Sequence, residues 1–104
     1  MSAAKGHRRN EEHLLWVKSQ PCANCKPGAQ KGPTEAHHVH RGSEPKNDYR
    51  AIPLCGPYPE GCHGHFEGHG RMYREIEERH VIKTLEAHYG TEKLPEYLAL
   101  AGRE

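Results

Sequence analysis

Pro21-Cys22-Ala23-Asn24-Cys25 puts two thiols at Cys-x-x-Cys spacing directly after a proline, and Cys55-Gly56-Pro57-Tyr58-Pro59-Glu60-Gly61-Cys62 supplies two more. Two thiolates at the first spacing can grip one metal ion from a tight turn, and four thiolates make the closed tetrahedral site typical of structural zinc. The two pairs bracket a segment long enough for a hairpin. Cys22, Cys25, Cys55 and Cys62 are therefore expected to hold structural zinc. The competing reading is two disulfides in an exported protein. Met1 to His13 lacks the apolar run of a signal peptide, so a cytoplasmic, reducing location is expected, where such cysteines bind metal more often than they pair. A thioredoxin-like dithiol would need βαβ surroundings that are missing.

The composition makes a metal useful. The chain has 104 residues and only 34% hydrophobic residues, with a mean hydropathy of −1.01. A single domain this small and this polar is marginal on apolar burial alone, and a structural metal is a common remedy. Trp16, Phe66 and five tyrosines argue against wholesale disorder. The longest apolar run, Leu14-Leu15-Trp16-Val17, is too short to span a membrane.

Outward from the cysteines, the pattern divides into three. Residues 10–19 read as a helix, with Asn10 as N-cap, Glu11 and Glu12 at the positive end of the dipole and Pro21 beyond the end. Residues 21–70 are rich in proline and glycine and contain two short candidate strands, Thr34–His40 and Tyr49–Leu54, joined by a loop with Gly42, Pro45, Asn47 and Asp48. Residues 71–89 read as helix closed by Gly90, and a last short helix is expected over 92–99. In the long helix Tyr73 and Ile76 form one apolar stripe and Ile82, Leu85 and Tyr89 another, misaligned enough to suggest a kink near His80. Residues 1–9 carry Lys5, Arg8 and Arg9 without an acid and are expected to form a flexible basic arm; residues 10–104 form one domain, with its core over 21–80 and C-terminal helices over 71–104.

Six of the ten histidines fall between residues 37 and 69. His37 and His38 are adjacent on a candidate strand and point to opposite faces, so they suit different roles. His65 and His69 are spaced i, i+4, which on a helix directs both imidazoles to one face within reach of one metal ion. Two such histidines plus one from the first pair leave a metal with open positions, the catalytic arrangement. An unliganded histidine beside it suits a general base, because its pKa lies near neutrality.

In order, Pro-Cys-Ala-Asn-Cys, Glu-Ala-His-His-Val, Asn-Asp-Tyr-Arg-Ala-Ile-Pro-Leu-Cys and Cys-His-Gly-His-Phe-Glu-Gly-His-Gly resemble the HNH, or ββα-metal, endonuclease superfamily over about residues 13–80. The lead-in Leu-Leu-Trp-Val-Lys-Ser-Gln is similar to that of a phage and prophage branch that includes RecA-dependent recombination-enhancing nucleases. The resemblance implies an α+β fold with a zinc-stabilised ββα-metal core, also described as a His-Me finger or treble-clef-like core, and flanking helices. It implies hydrolysis of DNA phosphodiester bonds. His38 would activate water, while His37, His65 and His69 would bind a catalytic divalent metal (magnesium, manganese or zinc) that stabilises the departing 3′ oxygen. DNA is the implied partner, together with a recombination or phage DNA-processing protein.

The chain departs from the family pattern twice. Arg50 stands where the family usually has its middle asparagine, and Asp48 is assigned that role instead. Six residues separate Cys55 from Cys62 where two are usual, which leaves two alternatives for His63: it replaces Cys62 on the zinc, or it replaces His65 on the catalytic metal. Arg41, Lys46, Arg50 and Arg71 flank the expected site and suit phosphate contacts. The same four cysteines also suit a non-catalytic zinc module that binds nucleic acid or protein.

Overall fold

The structure is a computed structural model that describes residues 8–26, 28–40, 45–69 and 72–102. Most of the expected arm, together with Arg41 and Arg71, lies outside the described residues. The architecture is a small α+β fold. A two-stranded antiparallel sheet, β1 (Thr34–His38) and β2 (Ala51–Cys55), is surrounded by helices α1 (Glu11–Lys18), α2 (Gly61–Gly68), α3 (Arg74–Tyr89) and α4 (Leu94–Leu100).

Helix α1 starts as its sequence dictates: the Asn10 side chain accepts from the His13 backbone N–H at 2.9 Å. The hairpin is shorter than expected at its loop end, where β1 stops at His38 and β2 starts at Ala51, while β2 extends one residue further, to Cys55. Asn47 caps a single 3-10 turn over Asp48–Arg50 by accepting from the Tyr49 N–H, so β2 begins only at Ala51. Its register pairs His37 with Ile52 and His38 with Ala51. All five residues of β2 are buried. Pro53 is tolerated there because the sheet has two strands only, and its carbonyl accepts from the Ala23 N–H at 2.7 Å. Ile52, Leu54, Phe66, Val81 and Leu85 form the centre of the core.

Helix α3 runs unbroken through His80 to Gly90. Its buried face is Glu77, Val81, Thr84 and Leu85. This is one stripe at helical spacing whose first member is a carboxylate; the apolar residues looked misaligned because Glu77 occupies the inward position. Arg8 does not belong to a free arm. Its backbone exchanges hydrogen bonds with Lys46 and Asp48, and its guanidinium donates to the Leu100 carbonyl at 2.8 Å. Among the described residues no helix is long and apolar enough to cross a membrane.

Helices α1, α3 and α4 are joined by stacked rings. Trp16 lies 4.2 Å from His88, His88 4.0 Å from Tyr89, and Tyr89 3.6 Å from Tyr97. His13 sits fully buried against this stack, its Nδ1 2.8 Å from His88 Nδ1. Its Nε2 is buried with no hydrogen-bond partner, so a second proton there would be unsolvated. Burial, then the facing His88, lowers the His13 pKa from 6.5 to about 4.

The folded state therefore binds fewer protons than the unfolded state between these values. The stabilisation from neutral His13 is complete above the unfolded pKa and is lost as pH falls through that window, by roughly 3 kcal/mol at most. Urea midpoints measured between about pH 7 and about pH 4.5 are expected to fall more steeply for the wild type than for His13→Phe, which keeps a ring in the stack. Equal slopes in the two proteins would remove His13 as the cause.

Candidate metal centres

Cys22 and Cys25 come from the turn after α1, Cys55 from the end of β2 and Cys62 from the first turn of α2. Their four sulfurs lie within 4.8 Å of one another. Gly61, at φ +71°, lets the chain turn into α2 against the Cys55 carbonyl, which a Cβ would approach to 2.4 Å. Cys25 Sγ is 3.7 Å from both Cys55 Sγ and Cys62 Sγ, and all four thiols are free. These separations are far longer than a disulfide bond of about 2.0 Å. They match the edge, about 3.8 Å, of a tetrahedron with metal–sulfur bonds of about 2.3 Å. Burial and then neighbouring thiols push the Cys25 thiol up. Burial opposes ionisation of Cys22 too, but backbone N–H groups from Cys55, Asn24 and Cys25 bring it below its ordinary value. The group can hold a structural metal ion such as zinc. Cys62 completes it, so His63 is not needed there.

A second donor group forms around His37, with His63 in place of His65, one of the two alternatives for His63, and with Glu67 in place of His69. His37, His63 and Glu67 bring their ligand atoms within 4.8 Å of one another. His65 and His69 turn elsewhere: His65 Nε2 meets the Tyr73 hydroxyl at 2.6 Å, and His69 Nδ1 lies 3.0 Å from the His65 carbonyl. The reason is the phase of α2. Phe66 is fully buried, and on a helix of 3.6 residues per turn His63 and Glu67 fall on one flank of Phe66, His65 and His69 on the other. The i, i+4 spacing of His65 and His69 is equally that of His63 and Glu67. Spacing alone does not choose between them.

His37 is 3% exposed. Its Nε2 is 2.5 Å from Glu77 Oε2. An ionised carboxylate only accepts, so Nε2 carries a proton, and in the neutral ring Nδ1 keeps its lone pair. That Nδ1 is buried, makes no hydrogen bond, and lies 3.1 Å from Glu67 Oε1. The same oxygen is 3.8 Å from His63 Nε2, while His63 Nδ1 bonds to Glu35 Oε1 at 2.8 Å. The His63 hydrogen bond holds the Glu35 carboxyl below its ordinary value. A nitrogen lone pair facing a carboxylate oxygen is repulsive unless positive charge lies between them. Donors bound to a common divalent ion at about 2.1 Å lie roughly 3.0–3.4 Å apart; the His37–Glu67 separation falls in that range and the His63–Glu67 separation is wider, and the three donors together could hold such an ion.

His38 takes the other task. Its Nε2 bonds to Asp48 Oδ1 at 2.8 Å, and Asp48 is fixed in turn by the Asn10 N–H at 2.8 Å from its other oxygen. Burial lowers the His38 pKa, against the raising effect of Asp48. The ring is therefore favoured neutral, with Nδ1 as its free base. His37, His38, His40, Phe66, Glu67, Arg74 and Glu77 line one cavity of about 200 Å³.

The phosphate-contact assignments need one correction. Arg50 is 3% exposed. It donates to the Val39 carbonyl at 2.8 Å and the Ala101 carbonyl at 3.2 Å, and pairs with Glu78. It closes the C-terminal end of α4 and is not available to a phosphate. Lys46 remains exposed, and its charge reaches His38. Arg74 was missed because nothing in the sequence ties it to His37; only the packing of α3 brings it to the cavity. Glu35, Glu67 and Glu77 were missed for the same reason, although the i, i+4 relation of His63 to Glu67 is visible in the sequence.

No protein-family model, curated protein or solved structure matches the chain.

Cobalt(II) titrated into reduced, metal-free protein is expected to give the sulfur-to-metal charge-transfer bands of a tetrahedral four-thiolate site at one equivalent. Cys25→Ser should lose that spectrum and the cooperative thermal transition, because metal binding and folding share one free energy. A folded variant with an unchanged melting curve would show that the cluster is dispensable.

Proposed function

We propose that the chain is a metal-dependent DNA endonuclease of the HNH type, built on a ββα-metal core with zinc at the four cysteines. The observation that carries the reading is His37 Nδ1, buried without a hydrogen bond and facing Glu67, in one cavity with His38, whose ring is paired with Asp48. The order β1–β2–α2, with cation donors on β1 and α2, supports the same assignment.

His37, His63 and Glu67 would hold the catalytic divalent ion, which would supply positive charge to the phosphate and to the departing 3′ oxygen. His38 does the proton chemistry. Its Nδ1 accepts a proton from water as the water oxygen attacks phosphorus, while Asp48 fixes the ring and stabilises the imidazolium that forms. The bond from phosphorus to the 3′ oxygen breaks, the departing oxygen takes a proton from water, and the products are a 5′-phosphate and a 3′-hydroxyl. Arg74 and Lys46 are suited to hold the substrate phosphates in register. An intracellular setting and a recombination or phage DNA-processing partner belong to the same proposal.

Supercoiled plasmid incubated with the zinc-loaded protein and manganese or magnesium is expected to be nicked. His38→Ala should slow nicking by roughly 10²–10⁴-fold with zinc content unchanged and the protein still folded at the assay temperature. If the wild type cuts nothing with any divalent metal, alone or with a recombinase filament, the endonuclease reading fails and a non-catalytic zinc module takes its place.

A further inference from the structure

Two carboxylates stand behind the candidate cation donors without facing the cation position. Glu77, buried on α3, meets His37 Nε2 at 2.5 Å. Glu35, on β1, meets His63 Nδ1 at 2.8 Å. Each contact occupies the ring nitrogen that points away from Glu67, so His37 presents Nδ1 and His63 presents Nε2 to the same Glu67 oxygen. The two rings thus use opposite nitrogens, His37 on a strand and His63 on a helix. One shared donor centre therefore requires two different tautomers.

Glu35 is itself held from outside the site. Its Oε1 accepts from the Tyr58 backbone N–H at 2.9 Å, and the Tyr58 ring lies 5.2 Å from the His63 ring. Tyr58 belongs to the six residues that lie between Cys55 and Cys62. Gly56, in the same segment, leaves room for the carboxylate: a Cβ there would come within 2.2 Å of Glu35 Oε1. The segment that lengthens the cysteine spacing thus continues, through one carboxylate, to a cation donor.

We propose that Glu77 and Glu35 are positioning residues that select the tautomers of His37 and His63, and that the Gly56–Gly61 segment is part of the cation site through its grip on Glu35. The proposal rests on the cation site assigned above. Outer carboxylates of this kind fix ring orientation and raise donor basicity, and their loss costs metal ligands roughly 10–100-fold in affinity.

The test uses the full chain with its four-cysteine site filled by zinc. Manganese(II) binding is followed by electron paramagnetic resonance of the free ion, and imidazole tautomers by long-range ¹⁵N–¹H correlation without manganese. Glu35→Ala and Glu77→Ala are each expected to weaken manganese binding roughly 10–100-fold and to shift the affected ring from its single tautomer to a mixture. Glu35→Gln and Glu77→Gln keep an oxygen acceptor and should restore both readouts. Gly56→Ala should reproduce the Glu35→Ala effect on His63 alone. Alanine variants that stay folded with wild-type tautomers and wild-type manganese affinity would overturn the proposal. If the wild type binds no manganese beside the zinc, the cation-site reading fails separately, and the tautomers of the alanine variants still decide whether the carboxylates select them.

Discussion

Four sulfurs from three separate segments must meet within 4.8 Å, and that meeting orients most of the remaining fold. It anchors the turn after α1 to the end of β2 and ties both to the first turn of α2. Once Cys62 is held, the direction of α2 is set, and Phe66 locks its rotation by filling the core beside Ile52 and Leu54. His63 and Glu67 then have one place to go, the side of the helix that faces His37. The candidate cation donors are thus positioned by residues that never touch a cation at that site. A chain with this little apolar material has no other strong means of fixing one helix against one hairpin.

The polar interior is concentrated around that hairpin. His37, Asp48, Arg50 and Glu77 are all nearly inaccessible, and burial of such groups is tolerated only when each finds a partner. Arg50 finds three, two of them carbonyls, and thereby closes the end of α4 that Arg8 and Asn47 also cap at Leu100. Asp48 is shared between His38 and the start of α1. Only His37 Nδ1 stands unsatisfied in this group, and it stands opposite a carboxylate. The other buried polar groups here, Asp48, Arg50 and Glu77, each have a hydrogen-bond partner.

The readable parts of the sequence were those governed by local rules. Asn10 announces α1, Gly90 ends α3, and the two cysteine pairs announce their own convergence. The unreadable parts depended on tertiary phase. His65 with His69 and His63 with Glu67 are both i, i+4 pairs, and only the burial of Phe66 separates them. Glu77 hid the stripe of α3 because a carboxylate was counted as polar surface when its task was internal. Arg50 looked like a surface cation beside a loop, yet one of the two carbonyls that it binds, that of Ala101, closes a helix 51 residues away in sequence. The hairpin ends shifted for a smaller reason: Asn47 could cap a turn as readily as it could enter a strand.

The adjacency of His37 and His38 becomes intelligible at the level of tautomers. Strand alternation sends neighbouring side chains apart, which argues against a common site. At the end of β1 both nonetheless reach one cavity, and a buried carboxylate occupies Nε2 of each: Glu77 for His37 and Asp48 for His38. Both rings are therefore left with Nδ1 as the available base. What distinguishes them is the company of that atom. His37 Nδ1 meets Glu67, a donor that with His63 completes a cation set, whereas His38 lies near the positive charge of Lys46 and outside that set. One helix supplies the carboxylate behind the first ring, and the start of another steadies the carboxylate behind the second. The helices packed around the hairpin thus do more than cover it: α3 and α1 fix the carboxylates that occupy Nε2 of each ring, and the neighbours of the remaining Nδ1 set the two histidines apart.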